Sequence, residues 1–350
     1  MRHEFLLALE ETGCVGAASG WQPHHLLVSR EGSAVAVMPL YIKNNSRGEY
    51  VFDWSWADAY RQHGMRYYPK LVTSVPFTPS PGARLLVADS GEAQPLISAV
   101  YAAVVAEAKR LGASSWHLLF PGEQESAHFA SAGMSQRIGC QYHWHNRNYS
   151  SFDEFLAAFN SRKRKNLRKE REAVFSAGVQ FTRLDGHSIT EAMWDKFHQF
   201  YQRTYHVRGQ REYLSRDFFV RLGQVMPDNL LLVVASHVGR PIAAALSLQD
   251  DQTLYGRYWG SLEDYQFLHF ETCYYQGIEY AIEKGLQRFD SGAQGEHKIQ
   301  RGFEPVITYS NHWIADRLFD VAIRDFISSE AGYVREYSVE AGKGLPFSKT

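Results

Sequence analysis

The chain has 350 residues with 37 basic against 38 acidic side chains, a formal charge of −1, and roughly 100–200 residues per domain makes two domains. Its 45% hydrophobic and 21% charged residues exclude wholesale disorder and low-complexity architecture, and the neutral balance argues against a surface that binds nucleic acid indiscriminately. Twenty Tyr, 21 Phe and 8 Trp supply rings for a thick core or for a wide cleft, and composition does not choose between them.

The opening residues 1–11 read as a short amphipathic helix, because Glu10 and Glu11 stand where a signal peptide would stay apolar. Cys14, Cys140 and Cys273 form no C-x-x-C pair, so neither a disulfide framework nor a zinc site is expected, and a reducing cytoplasm fits. A hairpin is expected from the runs 25–28 and 34–41 around a turn at 30–33. An aromatic stretch from Tyr50 to Lys70 follows, then a proline-rich turn at 75–82, a helix over 95–111, a stop at Gly112 and a buried strand at 116–120. The apolar run 96–108 is shorter than the roughly 20 residues that cross a bilayer, so no stable membrane insertion is expected. A last strand at 141–145 and a polar linker at 146–150 put the domain boundary there, and Ser151 reads as the N-cap of a long helix.

The second half repeats this order. A hairpin at 230–235 and 241–248 leads into a strand at 253–259, a helix over 269–284, Gly285 and a strand at 286–290; a helix over 317–330 precedes a weakly patterned end. Helix, glycine stop and strand thus recur, which reads as a tandem duplication. Hairpin, third strand, helix and parallel strand are the order of a GNAT-type acyltransferase domain, an α/β fold with mixed sheets. The expected ranges are 1–145, 151–316 and, for the C-terminal helix and tail, 317–350.

Between 152 and 176, Phe152, Phe155, Leu156, Phe159, Leu167 and Val174 make an apolar stripe, and seven basic residues lie between Arg162 and Arg171. At ~100° per residue, Arg162, Lys165 and Lys169 point away from the stripe, Lys163 falls within it, and Arg164 and Arg171 flank it. Burying unpaired cations is costly, so Lys163, Arg164 and Arg171 are read as an anion site at a cleft wall, and the outward cations as a solvated face.

The run 161–171 leading into the strand at 180–182 resembles the entry to the second GNAT-like domain of the Fem peptidyltransferases. The whole chain is similar to the FemAB-like predicted N-acyltransferases. That resemblance is carried by Tyr67-Tyr68-Pro69-Lys70 with Val75-Pro76-Phe77-Thr78-Pro79, by residues 270–280 from Phe270-Glu271-Thr272-Cys273 to Tyr280, and by residues 292–303 from Gly292 to Arg301-Gly302-Phe303. It implies two tandem GNAT-like domains, the first lacking its opening strand, and transfer of an acyl or aminoacyl group to an amine such as a cell-envelope (peptidoglycan) precursor. In the Fem pattern an Arg of the basic helix meets the precursor's diphosphate, and Arg164 is the matching position. Gln136-Arg137-Ile138-Gly139-Cys140-Gln141 only partly matches an acetyl-CoA loop, so the donor stays open among aminoacyl-tRNA, acyl-CoA and an acyl carrier protein. No permanently bound cofactor and no metal are expected.

Acyl transfer to an amine needs a base, an oxyanion donor and an anchor for the carrier. The densest polar run is Gln294-Gly295-Glu296-His297-Lys298 among Gly292, Gly295 and Gly302, where glycines allow close backbone approach. His297 or Glu296 is the candidate base, the alternative being an ordinary hydrogen-bonded loop. Gln294, Lys298 and Arg301 are candidate substrate-binding residues, the last two for a phosphate or carboxylate. Tyr258, with Tyr255 and Trp259, is cleft lining or core. His269 and Cys273 share a helix face, a weak metal pattern, Cys273 is a weak nucleophile candidate, and His143 and His145 are read as structural. The reading is an N-acyltransferase whose carrier-linked donor meets an amine acceptor in a cleft between domains; its alternative is a phosphate-binding protein that kept the fold and lost the chemistry.

Overall fold

The computed structural model describes residues 1–89, 91, 93–293 and 295–348. The chain forms two compact units: one holds Met1–Leu6, Gly13–Cys140 and Ile307–Ser338, the other holds Leu7–Thr12, Gln141–Val306 and the residues from Val339 on. The sequence boundary near 145 falls close to the step at 140 and 141, whereas the stretch 307–338 returns to the first unit instead of closing the second domain or standing apart. The reason is a strand pairing with a partner almost two hundred residues earlier, which no local pattern reports.

In chain order the first part comprises α1 (His3–Glu11), β1 (Trp21–Pro23), β2 (Leu26–Arg30), β3 (Ser33–Met38), β4 (Tyr41–Lys43), α2 (Trp54–Gln62), β5 (Lys70–Thr73), β6 (Leu86–Val87), α3 (Ala93–Arg110), β7 (Ser115–Leu119), α4 (Glu123–Ala132) and β8 (Ser135–His145). Glu31 and Gly32 both take positive φ between β2 and β3, the mirror-image turn that suits the twist of a two-residue hairpin. Then follow α5 (Phe152–Ala157), α6 (Ser161–Ser176), β9 (Val179–Asp185), α7 (Glu191–His206), α8 (Arg216–Val225), β10 (Leu230–His237), β11 (Arg240–Gln249), β12 (Thr253–Ser261) and α9 (Leu268–Phe270). A π-helical turn, Glu271–Tyr275, joins α9 to α10 (Gln276–Glu283), and β13 (Arg288–Asp290), a 3-10 turn at Glu296–Arg301, β14 (Glu304–Ile314) and α11 (Arg317–Lys343) complete the chain.

Each unit is built on the same plan, that of two tandem GNAT-like α/β domains. In the first, β5 and β7 run parallel with α3 as the crossover between them, and β14 adds antiparallel to β7 through Ser310↔Leu119 to Ile314↔Ser115. In the second, β12 and β13 run parallel with α9 and α10 between them, and β8 adds antiparallel to β13. The strand order is β1-β4-β5-β7-β14 in the first unit and β8-β13-β12-β11-β10-β9 in the second, and β2-β3-β6 form a separate small sheet. Ile97, Val100, Val104 and Ala108 of α3 recur at helical spacing and pack with Trp116, Leu118 and Phe129. In the second unit Trp144, Phe155, Phe159, Tyr275, Ile278, Phe289 and Phe303 form the corresponding core.

The long helix expected from 152 onward is two helices. Ser151 caps α5 as expected, its Oγ accepting from Glu154 N at 3.2 Å, but the chain then breaks and Asn160 caps α6, accepting from Lys163 N at 3.0 Å and donating to the Pro346 carbonyl at 2.9 Å. The uninterrupted apolar stripe therefore does not exist: Phe155 and Phe159 face the core before the break, and α6 starts a new phase with Leu167 and Val174 buried.

Gly260 on β12 lies against the backbone of α7, where a Cβ would sit 1.9 Å from the Phe200 carbonyl oxygen. Backbone cannot yield as a side chain does, so Gly260→Ala should cost about 1–3 kcal/mol of stability, read as a lower urea midpoint; an unchanged midpoint would contradict this packing.

Candidate active site

Strands β12 and β13 pair only over Thr253↔Arg288, Leu254↔Phe289 and Tyr255↔Asp290. Beyond that point β12 continues to Ser261 while β13 ends, so the two strands part. β12 also carries a bulge: Leu246 pairs with Tyr258 and Ser247 with Gly256, leaving Arg257 unmatched. A cavity of about 130 Å³ opens there, lined by Arg257, Tyr258, Trp259, His269, Cys273 and Tyr274 among others, with Ser291 at the end of β13. Among the described residues, no group of three or more His, Cys, Asp or Glu could hold a metal ion.

A buried ion pair adjoins this cavity. Arg257 Nη2 donates to Asp290 Oδ2 at 2.6 Å, with both side chains at most 2% exposed, and Gly292 N donates to Asp290 Oδ1 at 2.9 Å. Burial alone would raise the Asp290 carboxyl, but the Arg257 guanidinium, with His143 behind it, holds it down at about 2. His143 Nε2 lies 3.7 Å from Asp290 Oδ1, yet burial outweighs that attraction and pushes its pKa to about 4, so the ring is neutral. Lys298 donates from Nζ to the carbonyls of Ser291 and Gly292 at 2.9 and 3.1 Å, and burial lowers it to about 8.

The walls are neutral at physiological pH. Burial, reinforced by His297, Lys298, Arg301 and Arg208, lowers His269 to about 4. Burial drives the Cys273 thiol well above its ordinary range, which disfavours the thiolate that nucleophilic attack requires. Tyr258 is 6% exposed and both lines the cavity and packs on Tyr201 and Phe219, with ring centroids 5.8 and 5.7 Å away.

Of the residues singled out from sequence, the 3-10 turn gathers four. His297 and Glu296 are exposed, and His297 Nε2 meets Tyr274 Oη at 3.0 Å. Burial, then Arg301 and Lys298, lowers the His297 pKa below 6.5, so it is a neutral imidazole able to accept a proton. Lys298 is inside, engaged with carbonyls. Arg301 Nη2 is bound to both oxygens of Glu170 at 2.8 Å, and its guanidinium lies 3.4 Å from the Phe270 ring centre; its charge is thus already countered within the chain. Gln294 lies outside the described residues.

The basic helix is resolved into separate roles. Arg171, expected to face an anion, is instead shared between Glu271 at 2.8 Å and Glu279 at 2.9 Å, because two acids of the neighbouring helix supply the counter-charge that the sequence does not reveal. Lys163 and Arg164 are half-buried at the start of α6, and Arg164 Nη1 donates to the Ala157 carbonyl at 3.3 Å; among the described residues neither has an ion-pair partner. The residues that sequence reasoning passed over are Arg257, Tyr274 and Glu170. Only Glu170 carried a visible signal, as the one acid inside a run of cations.

Replacing Asp290 by Asn would leave Arg257 buried without its counter-charge, a loss of about 3–5 kcal/mol. Because the native carboxyl titrates below its usual 3.8, the pair stabilises the fold at neutral pH, and that contribution drains away as pH falls from about 4 towards 2. The urea midpoint of the unaltered protein should therefore fall more steeply over that window than the midpoint of the Asp290→Asn variant.

No curated protein sequence matches this chain. Among solved structures, it is similar to FemX (12% identity over 92% of this chain and 93% of that one, TM-score 0.55) and to L-PGS from Bacillus licheniformis (13%, 93% and 97%, TM-score 0.56). It is also similar to the C-terminal domain of a protein assigned as a lysylphosphatidylglycerol synthetase in Agrobacterium fabrum (13%, 92% and 96%, TM-score 0.54). These likenesses are of fold. The family model FemAB-like, described as peptidoglycan biosynthesis/recognition, matches residues 1–349, so the chain belongs to the FemAB-like family.

Proposed function

We propose that the protein is an N-acyltransferase that moves an acyl or aminoacyl group from a carrier to an amine. The observation that carries this reading is the cavity where β12 and β13 part, walled by neutral His269 and Tyr274 beside the neutral imidazole of His297. An amine can lose its proton there to a neutral imidazole. Family membership supports an acceptor of the cell envelope such as a peptidoglycan precursor. The names of the structural neighbours, FemX and a lysylphosphatidylglycerol synthetase, support aminoacyl transfer.

Aminoacyl-tRNA, acyl-CoA and acyl carrier protein are the donor classes to be tried, each as a co-substrate rather than a permanently bound cofactor. Lys163 and Arg164, half-buried and without carboxylate partners among the described residues, would hold a phosphate of the carrier or acceptor. Among the described residues no helix is long and apolar enough to cross a membrane, and a cytoplasmic location is part of the proposal.

The purified chain, given labelled donors of the three classes and candidate amines, should form an amide with one of them. His297→Ala should slow that turnover by roughly 100-fold or more, and Lys163→Ala with Arg164→Ala should raise KM with little change in kcat. Tight binding of the phosphate-bearing ligand with no turnover of any donor would favour a binding protein instead.

A further inference from the structure

Tyr274 joins the cavity to the surface. It sits on the π-helical turn, a geometry that concentrates at functional positions, and is 5% exposed. Its ring forms part of the cavity wall, with the His269 ring edge-on at 5.3 Å, while its hydroxyl lies 3.0 Å from His297 Nε2. One phenol therefore touches both the enclosed space and an exposed imidazole. The next residue, Tyr275, donates to Glu170.

Three neighbours shape the turn that carries this imidazole. Gly295 has φ +119°, and a Cβ there would lie 2.6 Å from His297 Cε1, so only glycine lets the ring lie over the turn. Arg301 Nη1 donates to the His297 carbonyl at 2.6 Å, and Arg301 is itself fixed by Glu170 of α6. The Phe270 ring packs 5.4 Å from the imidazole.

We propose that Tyr274 and His297 form a proton relay leading out of the cavity, with Tyr274 taking the amine proton and His297 acting through it. The proposal rests on the transferase reading above. The amine lone pair attacks the donor carbonyl carbon; the amine proton passes to Tyr274 Oη as the phenol proton passes to His297 Nε2. The new C–N bond forms, the ester or thioester bond to the carrier breaks, and the carrier leaves with its electron pair. The imidazolium gives its proton to solvent and the carrier oxygen or sulfur takes one up, so the count of protons is unchanged. Gly295, Arg301 and Glu170 are positioning residues. Around the His297 ring, the titratable and charged groups are Tyr274 and His269 from the helical segment and Glu296, Lys298 and Arg301 from its own turn.

The relay needs neutral His297, so kcat/KM should fall as pH drops through the imidazole pKa, which lies below 6.5. The test measures kcat/KM against pH for the full chain, Tyr274→Phe, His297→Ala and the double variant, with the imidazole titration of His297 followed by NMR. Each single change should lower the rate about 100-fold or more and abolish the acid limb, and the double variant should be no slower than the worse single one. Tyr274→Phe should also shift the His297 titration, because the hydroxyl that meets Nε2 at 3.0 Å is lost. A Tyr274→Phe variant with the unaltered rate and acid limb, losses that multiply in the double variant, or an unmoved titration overturns the relay. An unaltered protein that turns over no donor overturns the transferase reading itself, and is told apart because the NMR titration needs no turnover.

Discussion

The Arg257–Asp290 ion pair is sealed from water, and neither partner can move or be neutralised alone without leaving a bare charge in the interior. Three separate pieces of chain meet at it: the bulged strand that supplies Arg257, the short strand that ends on Asp290 with the turn at Gly292 that donates to the carboxylate, and β8, which faces it with His143. The bulge is what lets Arg257 reach across after the ladder has ended. The same parting of the strands leaves the space in which His269 and Tyr274 are exposed to a small ligand. The cavity thus has one charged lining residue, Arg257, whose charge is met by Asp290, while His269 and Cys273 beside it are neutral.

The first unit meets the same topological position differently. At the register where Asp290 faces His143 and Phe289 faces Trp144, the first unit sets His117 against His312 and Trp116 against Trp313. A His-Trp pair thus recurs on the final strand of both units, with the tryptophan largely buried each time. The charge comes from elsewhere: Lys70 binds Glu49 at 2.8 Å and also Asp53, and Tyr67 donates to Asp53 at 2.6 Å. His117 and His312 lie 2.6 Å apart through their Nδ1 atoms, and burial holds both far below the usual imidazole range. The duplicated scaffold therefore carries two different polar interiors.

The α/β class, the two hairpins, the helix-to-strand repeats and the Ser151 cap were legible because each rests on contacts within a few residues. The return of 307–338 to the first unit was not, since antiparallel pairing of β14 with β7 leaves no local mark. The break between α5 and α6 is hidden because Phe159 and Leu167, on either side of it, read as one apolar stripe, while the real signal is Asn160 as a cap. At the site, the turn around His297 stood out through its glycines and its mixed charge. Arg257 and Tyr274 did not, because a bulge and a π-helical turn depend on how neighbouring strands and helices meet. Of the inward cations, Arg171 finds its partners in acids of this same chain, Glu271 and Glu279.

Glu170 gives α6 two independent faces. Its carboxylate grips Arg301 and receives the Tyr275 hydroxyl, and its neighbour Arg171 ties the helix to Glu271 and Glu279, so these ties all lie on the inner side of the helix. Arg162, Lys165 and Lys169, on the outer side, are exposed and carry no part of that anchorage. A change of charge on the outer face therefore leaves the His297 turn undisturbed, whereas a change at Glu170 would release it.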